Sequence, residues 1–421
     1  MKCPSLETND ASRDTLHGFD RAAGGLFQHP ERKRFGRLAM NIYVCMQTAF
    51  WISIGFIGYA YVGYPLLLML IGVVRNRPVE KGSYRPTVSC IITAYNEEQR
   101  IREKLLNTLQ QDYPRESCDI VVASDCSTDG TDDLVRSFSS SGVRLVRLNT
   151  KGGKEAAQKQ AVESTTGEIL VFSDTATMLE PMAIASIVKN FSDPTVGCVS
   201  SVDRFIDTDG NVSGEGAYVR YEMFLRNLET RVNTLVGLSG SFFAARRSVC
   251  QGWAPDLQSD FNTLLNSVRM GLRGVADPES VGFYKNLSDQ KKEYDRKVRT
   301  IVRGISVFMR SLSLLNPFRY HLFAWQLFSH KLCRWLVPFA MIIALVANAV
   351  LASSSLFFQG TLAVQVVFYS VALAYLATTR LPSVGMLRIP SFFVMVNLSI
   401  LDAWIRYFRG ERIVSWSPSK R

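Results

Sequence analysis

The stretch TVSCIITAYNEE, residues 87–98, decides how the chain is read. Eight residues of short, β-favouring apolar sequence give way to an aromatic, an amide and two carboxylates. A strand that ends abruptly in such side chains is the opening of an α/β unit, because ligands in these sheets bind beyond the carboxyl ends of the strands. The same order recurs downstream. Asp119–Ser124, Val143–Leu148 and Glu168–Phe172 are predicted strands, and Glu98–Gln111, Thr131–Ser140 and Lys154–Thr165 are predicted helices between them. Such alternation implies right-handed crossovers and an α/β fold with a mostly parallel sheet.

The chemistry-bearing residues fall at these strand ends. Tyr95-Asn96-Glu97-Glu98 follows the first strand, and Asp125-Cys126-Ser127-Thr128-Asp129-Gly130-Thr131 follows the second. Lys151-Gly152-Gly153-Lys154 opens a helix, and the fourth strand closes on Phe172-Ser173-Asp174. An aromatic, an Asn and an Asp in one crevice can hold a base and ribose. Lys154 and the helix start can meet phosphate, and Asp174 can share a divalent cation with a pyrophosphate. Singly each has a plainer reading: Asp129-Gly130 as a turn, Asp174 as a cap, Lys154 as a solvated lysine. Their joint order carries the argument. Gly-x-Gly-x-x-Gly is absent after the first strand and Gly-x-x-x-x-Gly-Lys-Ser/Thr is absent, which excludes the usual dinucleotide and P-loop folds. His17, His29, His321 and His330 all lie outside this stretch, so carboxylates, Lys and Arg must run any chemistry.

The 421 residues carry 48 Lys and Arg against 37 Asp and Glu, a net charge of +11. From His330 onward the basic residues bracket apolar runs, a placement that suits anionic lipid head groups and excludes a nucleic-acid groove. Eight cysteines show no Cys-x-x-Cys spacing, which reads as a reduced compartment without a disulfide framework. Residues 1–39 are expected to be a disordered tail ending in a basic run, with no secretory signal. Residues 40–76 are expected to form one membrane helix kinked at Pro65, since Ile42–Val74 is uncharged and longer than a single span requires. A catalytic domain over 85–303, interfacial amphipathic helices over 304–334, three further membrane helices over 335–408 and a basic tail over 409–421 complete the plan. One span before the domain and three after it put both basic tails opposite the domain, against the positive-inside tendency.

Taken together the motifs resemble the membrane-bound, polysaccharide-making branch of the family 2 glycosyltransferases. The resemblance rests on Ala94-Tyr95-Asn96-Glu97-Glu98, Asp125-x-Ser127-x-Asp129-Gly130-Thr131, Gly152-Gly153-Lys154, Phe172-Ser173-Asp174 and Gly237-Leu238-Ser239-Gly240. It continues through Ser259-Asp260-Phe261, Arg296-x-x-Arg299, Ser329-His330-Lys331-x-x-Arg334-Trp335 and Trp416-x-Pro418-x-x-Arg421. It implies a GT-A fold and an inverting mechanism. Tyr95, Glu97 and Asp125 would then hold the nucleoside of a nucleotide-sugar, a UDP-sugar first of all, with Lys154 assisting. Asp174 would face the diphosphate and a divalent cation, Mg²⁺ or Mn²⁺. Asp260 would be the general base, Gly240 would shape the acceptor side and Arg299 would bind the leaving group. The resemblance further implies a glycan or lipid-linked glycan acceptor and polysaccharide-export partners. It implies a bacterial inner membrane location with the catalytic domain cytoplasmic.

Three departures stand out. The family's Asp-x-Asp is Asp174-Thr175-Ala176, its Glu-Asp is Ser259-Asp260, and its Gln-x-x-Arg-Trp is Arg296-Lys297-Val298-Arg299-Thr300. Without the Trp there is no aromatic to stack on a growing chain. A single-sugar transferase acting on a membrane lipid, or a non-catalytic sugar-nucleotide scaffold, stands as the alternative. Asp260 also has a plain reading as the cap of a helix over Asn262–Met270, and Arg296 and Arg299 as a basic face touching lipid.

Overall fold

The computed structural model describes residues 29–206, 217–285, 290–377 and 385–412. Helix α1 (His29–Gly58) passes through a π segment, Tyr59–Gly63, into α2 (Tyr64–Val74). The helix therefore begins upstream of residue 40, inside the expected tail, because the run from Glu31 to Arg37 is rich in strong helix formers. The expected Pro65 kink takes the form of that π segment. Proline has no N–H to close a turn, and the ladder ahead of it widens.

The domain that follows is built on eight strands: β1 (Val88–Ala94), β2 (Cys118–Ser124), β3 (Val143–Arg147), β4 (Ile169–Asp174), β5 (Met178–Leu179), β6 (Val196–Ile206), β7 (Phe242–Arg246) and β8 (Arg273–Lys285). Their order in one sheet is β3-β2-β1-β4-β7-β6-β8-β5. The expected parallel sheet accounts for β3-β2-β1-β4 and for the β6–β8 pair. The other half is mixed, since β7 runs antiparallel to both β4 and β6, and β5 is antiparallel to β8. All of β1 is buried, the signature of a central strand covered on both faces.

Period-two alternation assigns the two cores. Cys90, Ile92, Ile120, Val122, Ile169, Val171, Phe242 and Ala244 point to one face, where α3 (Glu98–Leu109) contributes Ile101 and Leu105. Ile91, Val121, Ala123, Leu170, Phe172, Phe243 and Ala245 point to the other, where α5 (Lys154–Ser164) contributes Ala157, Ala161 and Val162. Between α3 and α5 in the chain lies α4 (Thr131–Ser137); α6 (Ala183–Lys189), α7 (Ala217–Val232), α8 (Arg247–Cys250) and α9 (Ser259–Arg269) follow α5. All of these helices begin at strand ends or return the chain to the sheet, so the polar strand-end residues collect along one edge.

Beyond the sheet come α10 (Gln290–Met309) and α11 (Pro317–Leu327), then a second π segment, Phe328–Cys333. The last described helices are α12 (Arg334–Leu351), α13 (Leu356–Ala377) and α14 (Gly385–Phe408). Among the described residues four helical stretches, Arg37–Val74, Pro317–Leu351, Leu356–Leu376 and Ile389–Phe408, are long and apolar enough to cross a membrane. Residues 317–334, expected to lie in the interface, thus run directly into a candidate span. The chain divides into two compact units. One takes residues up to Gly58 together with Val337–Ser391, and the other takes Tyr59–Leu336 together with the chain from Phe392 onward. In the first, Phe50, Ala344, Ala347, Leu351 and Phe358 form a small core, while Ile52 and Val364 remain 66% and 69% exposed. Large aliphatic side chains held outward on long helices are what a lipid environment accommodates. All seven described cysteines are free.

Gly167, just ahead of β4, is the tightest backbone approach in the sheet. A Cβ there would lie 2.5 Å from the Ser89 nitrogen and 2.7 Å from the Val88 carbonyl carbon. Gly167→Ala is expected to cost about 1–3 kcal/mol by overpacking, read as a lower melting temperature of the purified full chain. Gly252→Ala, whose Cβ meets nothing within 4 Å, is the matched control and is expected to leave melting unchanged.

Candidate active site

Asp125 organises the nucleotide side. It is fully buried at the end of β2, and its backbone N–H donates to Ala94 O at 3.0 Å. Gly152 and Gly153 donate their N–H groups to its Oδ1 at 2.8 and 2.9 Å, while Oδ2 has no partner. A buried carboxylate oxygen without a donor costs free energy, so the geometry keeps a place for an incoming N–H or O–H. Gly153 holds φ +92°, which lets the chain turn into α5 immediately after these bonds. Asn96 and Cys126, at the ends of β1 and β2, also hold left-handed backbone, and such outliers gather at binding sites. The Asn96 side chain accepts the Thr128 N–H at 2.8 Å and ties the two ends together. Lys151 places its ammonium 3.7 Å from the centre of the Tyr95 ring.

From Gly153 the helix carries Lys154 into a cavity of about 240 Å³. Its ammonium donates to Asp174 Oδ1 at 2.5 Å and to Gly240 O at 3.0 Å, and the residue is only 8% exposed. Glu97, Asp260, Arg296, Arg299 and Asp203 line the same cavity. Asp260 sits in the first turn of α9, and Gln258 donates to its Oδ2 at 3.1 Å. The helix begins at Ser259, so the N-cap position falls to Gln258 and the cap reading of Asp260 is corrected. Gly240 is small of necessity, since a Cβ there would come 2.9 Å from Asp260 Oδ2. Both arginines face the cavity from α10, which corrects their reading as a lipid-facing basic stripe. Burial and the neighbouring Arg303 and Arg296 push the Arg299 guanidinium below its ordinary range, the condition of a cation that an arriving anion would relieve. Burial raises the Glu97 carboxyl, although Arg100 pulls against it at 2.7 Å.

Asp174, Asp260, Lys154, Glu97 and Arg299 are thus brought to one cavity, as expected of them. Tyr95 and Asp125 do not line it, and Asp125 reaches it through the Gly152–Gly153–Lys154 turn. Four contributors were not foreseen. Lys104 is buried beneath the Asp174 turn and donates to Ser173 Oγ at 2.8 Å and Thr177 O at 2.5 Å; burial pushes its amine down to about 8. Glu155 receives Arg303 and the Ser259 N–H, joining α5 to α9 and α10. Gln258 orients Asp260. Asp203, on β6, accepts from Ser239 Oγ and Ser241 Oγ at 2.5 Å each. A lone Asp inside a long strand carries no sequence signal, whereas the two serines flanking Gly240 could have hinted at a shared acceptor.

A divalent cation finds one carboxylate here. Asp174 supplies it, Ala176 supplies nothing, and the described residues contain no cluster of three or more His, Cys, Asp or Glu able to hold a metal. That set fits a hard cation that takes one or two carboxylates and completes its shell with substrate phosphate and water.

The parallel half-sheet, the antiparallel β7 and the strand-end pocket define a GT-A-type fold. Residues 89–253 match the family model Glycosyl transferase family 2. Glycosyltransferase AglE of Haloferax volcanii is 28% identical over 141 residues, 33% of this chain and 45% of that protein. Beta-monoglucosyldiacylglycerol synthase of Nostoc sp. is 25% identical over 231 residues, 52% of this chain and 48% of that protein. The chain spans about half the length of these curated relatives. Among solved structures, mannosyltransferase PcManGT from Pyrobaculum calidifontis, in complex with GDP-Man and Mn²⁺, shares the fold. Its TM-score is 0.67 at 24% identity, covering 86% of this chain and 99% of that one.

Two predictions follow from this geometry. Asp125→Asn keeps an acceptor for the glycine amides and is expected to fold but lose nucleotide affinity, whereas Asp125→Ala orphans both amides and is expected to lose about 1–3 kcal/mol of stability as well. Isothermal titration with UDP and thermal melting separate the two. For Asp203, burial raises the carboxyl above its ordinary 3.8 although Ser239 and Ser241 pull it down. Its contribution to stability is then full below that ordinary value and is lost as pH rises through the higher folded value. Melting of the wild type is expected to fall over that window, and Asp203→Asn to flatten the slope; an unchanged slope contradicts the assignment.

Proposed function

We propose that the chain is an inverting glycosyltransferase that moves a sugar from a nucleotide-sugar, a UDP-sugar first of all, to a glycan or lipid-linked glycan. We place it in a bacterial inner membrane with the catalytic domain cytoplasmic, serving exopolysaccharide or cell-surface glycan synthesis with polysaccharide-export partners. One observation carries the chemical part: Asp260, Arg299 and the Lys154–Asp174 pair line a single cavity.

The roles follow from charge. Asp260 Oδ accepts the proton of the acceptor hydroxyl as that oxygen attacks the anomeric carbon. The bond from that carbon to the phosphate oxygen breaks, and the nucleoside diphosphate leaves with the electron pair. Negative charge grows on the departing diphosphate, where Lys154 and the Arg299 guanidinium stand ready, and fixed cations in an enclosed site are most effective where charge develops. Arg suits this better than Lys because its planar donors match two oxygens at once. A divalent cation held by Asp174 and the diphosphate would neutralise part of the same charge. Asp125 Oδ2, Tyr95 and Glu97 serve the nucleoside.

Thr300, standing where an aromatic would stack on a growing chain, favours a second reading in which one sugar is added to a membrane lipid. The relative named beta-monoglucosyldiacylglycerol synthase lends it support. Product length separates the two, as a ladder or a single addition.

Purified full chain with Mg²⁺ or Mn²⁺, screened across nucleotide-sugars, is expected to release nucleoside diphosphate. Asp260→Asn is expected to slow transfer by about 10²–10⁴-fold with nucleotide affinity retained. Equal turnover in both removes Asp260 as the base, and no turnover with any donor favours a binding scaffold.

A further inference from the structure

The loop Gly237-Leu238-Ser239-Gly240 joins the reaction centre to a second set of charges. At one end Gly240 lies against Asp260. At the other, a Cβ on Gly237 would come 3.3 Å from the ammonium of Lys331. Two residues, Leu238 and Ser239, separate the two glycines, so their α-carbons are no more than about 11 Å apart.

Lys331 belongs to the π segment Phe328–Cys333, at which the α-helical register slips, and such segments gather at functional sites. Its ammonium lies 5.2 Å from the centre of the Phe261 ring and makes no hydrogen bond or ion pair with any described residue. The charged groups acting on it are Glu222, Arg226, Glu229 and Asp260. Two of these are already engaged. Glu222 takes Arg334 at 2.6 Å, and Glu229 Oε1 takes Tyr64 OH at 2.7 Å and His330 Nδ1 at 2.5 Å. Glu229 Oε2 is unpartnered, yet Lys331 does not come within ion-pair distance of it. Arg226 is a second cation under the loop. It donates to Ser200 Oγ at 3.1 Å, and that hydroxyl accepts the Ser239 N–H at 2.7 Å. Its charge also acts on the Asp203 carboxylate.

A half-buried ammonium that rests on an aromatic ring and holds none of the nearby carboxylates in an ion pair is a place an anion can complete. Lys331 also falls within the candidate span Pro317–Leu351, and ionisable groups at such positions mark substrate paths. Resting on the reading of Asp260 as the base, we propose that Lys331, supported by Arg226, binds the phosphate of a lipid-linked acceptor. The ligand's source is the membrane, because the cation sits on a helix of spanning length.

The test is binding, with no donor present, so its outcome does not depend on sugar transfer. Full chain in detergent is equilibrated with labelled farnesyl phosphate and with farnesol. Wild type is expected to prefer the phosphate by about tenfold or more. Lys331→Met, which keeps the packing on Phe261, is expected to abolish that preference, Lys331→Arg to keep it, and Arg226→Gln to weaken it. Melting temperature checks that each variant folds, and Lys331→Arg carries the test should Lys331→Met fail to fold, since its preference is then expected to match wild type. A preference that survives Lys331→Met, a wild type without preference, or displacement by inorganic phosphate at equal concentration overturns the proposal. If farnesyl phosphate binds as expected while no donor is turned over, the acceptor site stands and the transferase reading falls.

Discussion

The ammonium of Lys154 touches Asp174 on one side and the carbonyl of Gly240 on the other, and the rest of the site depends on that bridge. Asp174 ends the parallel half of the sheet. Gly240 leads into β7, the strand that starts the mixed half. A cation enclosed between them fixes how the two halves meet at their polar edge. Its own position is set from below, because Asp125 grips the two glycine amides that precede it. Lys104 braces the far side of the Asp174 turn. Donor-side and acceptor-side residues are therefore positioned by one short chain of charge-assisted bonds, which are stronger than neutral ones and keep tight geometry.

This arrangement has an electrostatic logic. The carboxylates of Glu97, Asp174, Asp203 and Asp260 and the cations of Lys154, Arg296 and Arg299 line one small cavity. Arg296 is held by both oxygens of Glu293 at 2.9 Å each, so it is a fixed part of the wall. Arg303 is tied to Glu155 through one guanidinium nitrogen and one carboxylate oxygen. Arg299 lies between these anchored guanidiniums, and their repulsion favours the arrival of an anion. With Ala176 in place of a second carboxylate, a larger share of diphosphate neutralisation falls on these fixed cations.

Much of the parallel half could be read from the sequence. Strands β1 to β4 are short apolar runs covered on both faces, and each ends in residues whose chemistry is unlike what precedes them. Asp125, Lys154 and Asp174 were visible because they fall at those breaks. The mixed half was hidden for physical reasons. Strands β6 and β8 are long and carry buried polar residues, Ser200, Ser201 and Asp277 among them, so their hydrophobic pattern is broken. The antiparallel course of β7 follows from a helical excursion that local sequence does not encode. Helix α1 was placed too late because its first turns are charged, and charge was taken for disorder although Glu, Lys and Arg favour helix. Gln258 beside Asp260 needed three dimensions to be seen. So did the placement of Lys331 against Phe261, although its motif had been noted.

The central claim is that one cavity holds the leaving group between Lys154–Asp174 and Arg299, with Asp260 across from it. The most direct measurement is an experimental structure of the full chain with UDP and Mg²⁺. The account predicts the diphosphate against Lys154 and Arg299, the base beside Asp125 and Tyr95, and the Asp260 carboxylate facing open space on the acceptor side. A nucleotide bound elsewhere, or an Asp260 carboxylate turned away from the diphosphate, would contradict it.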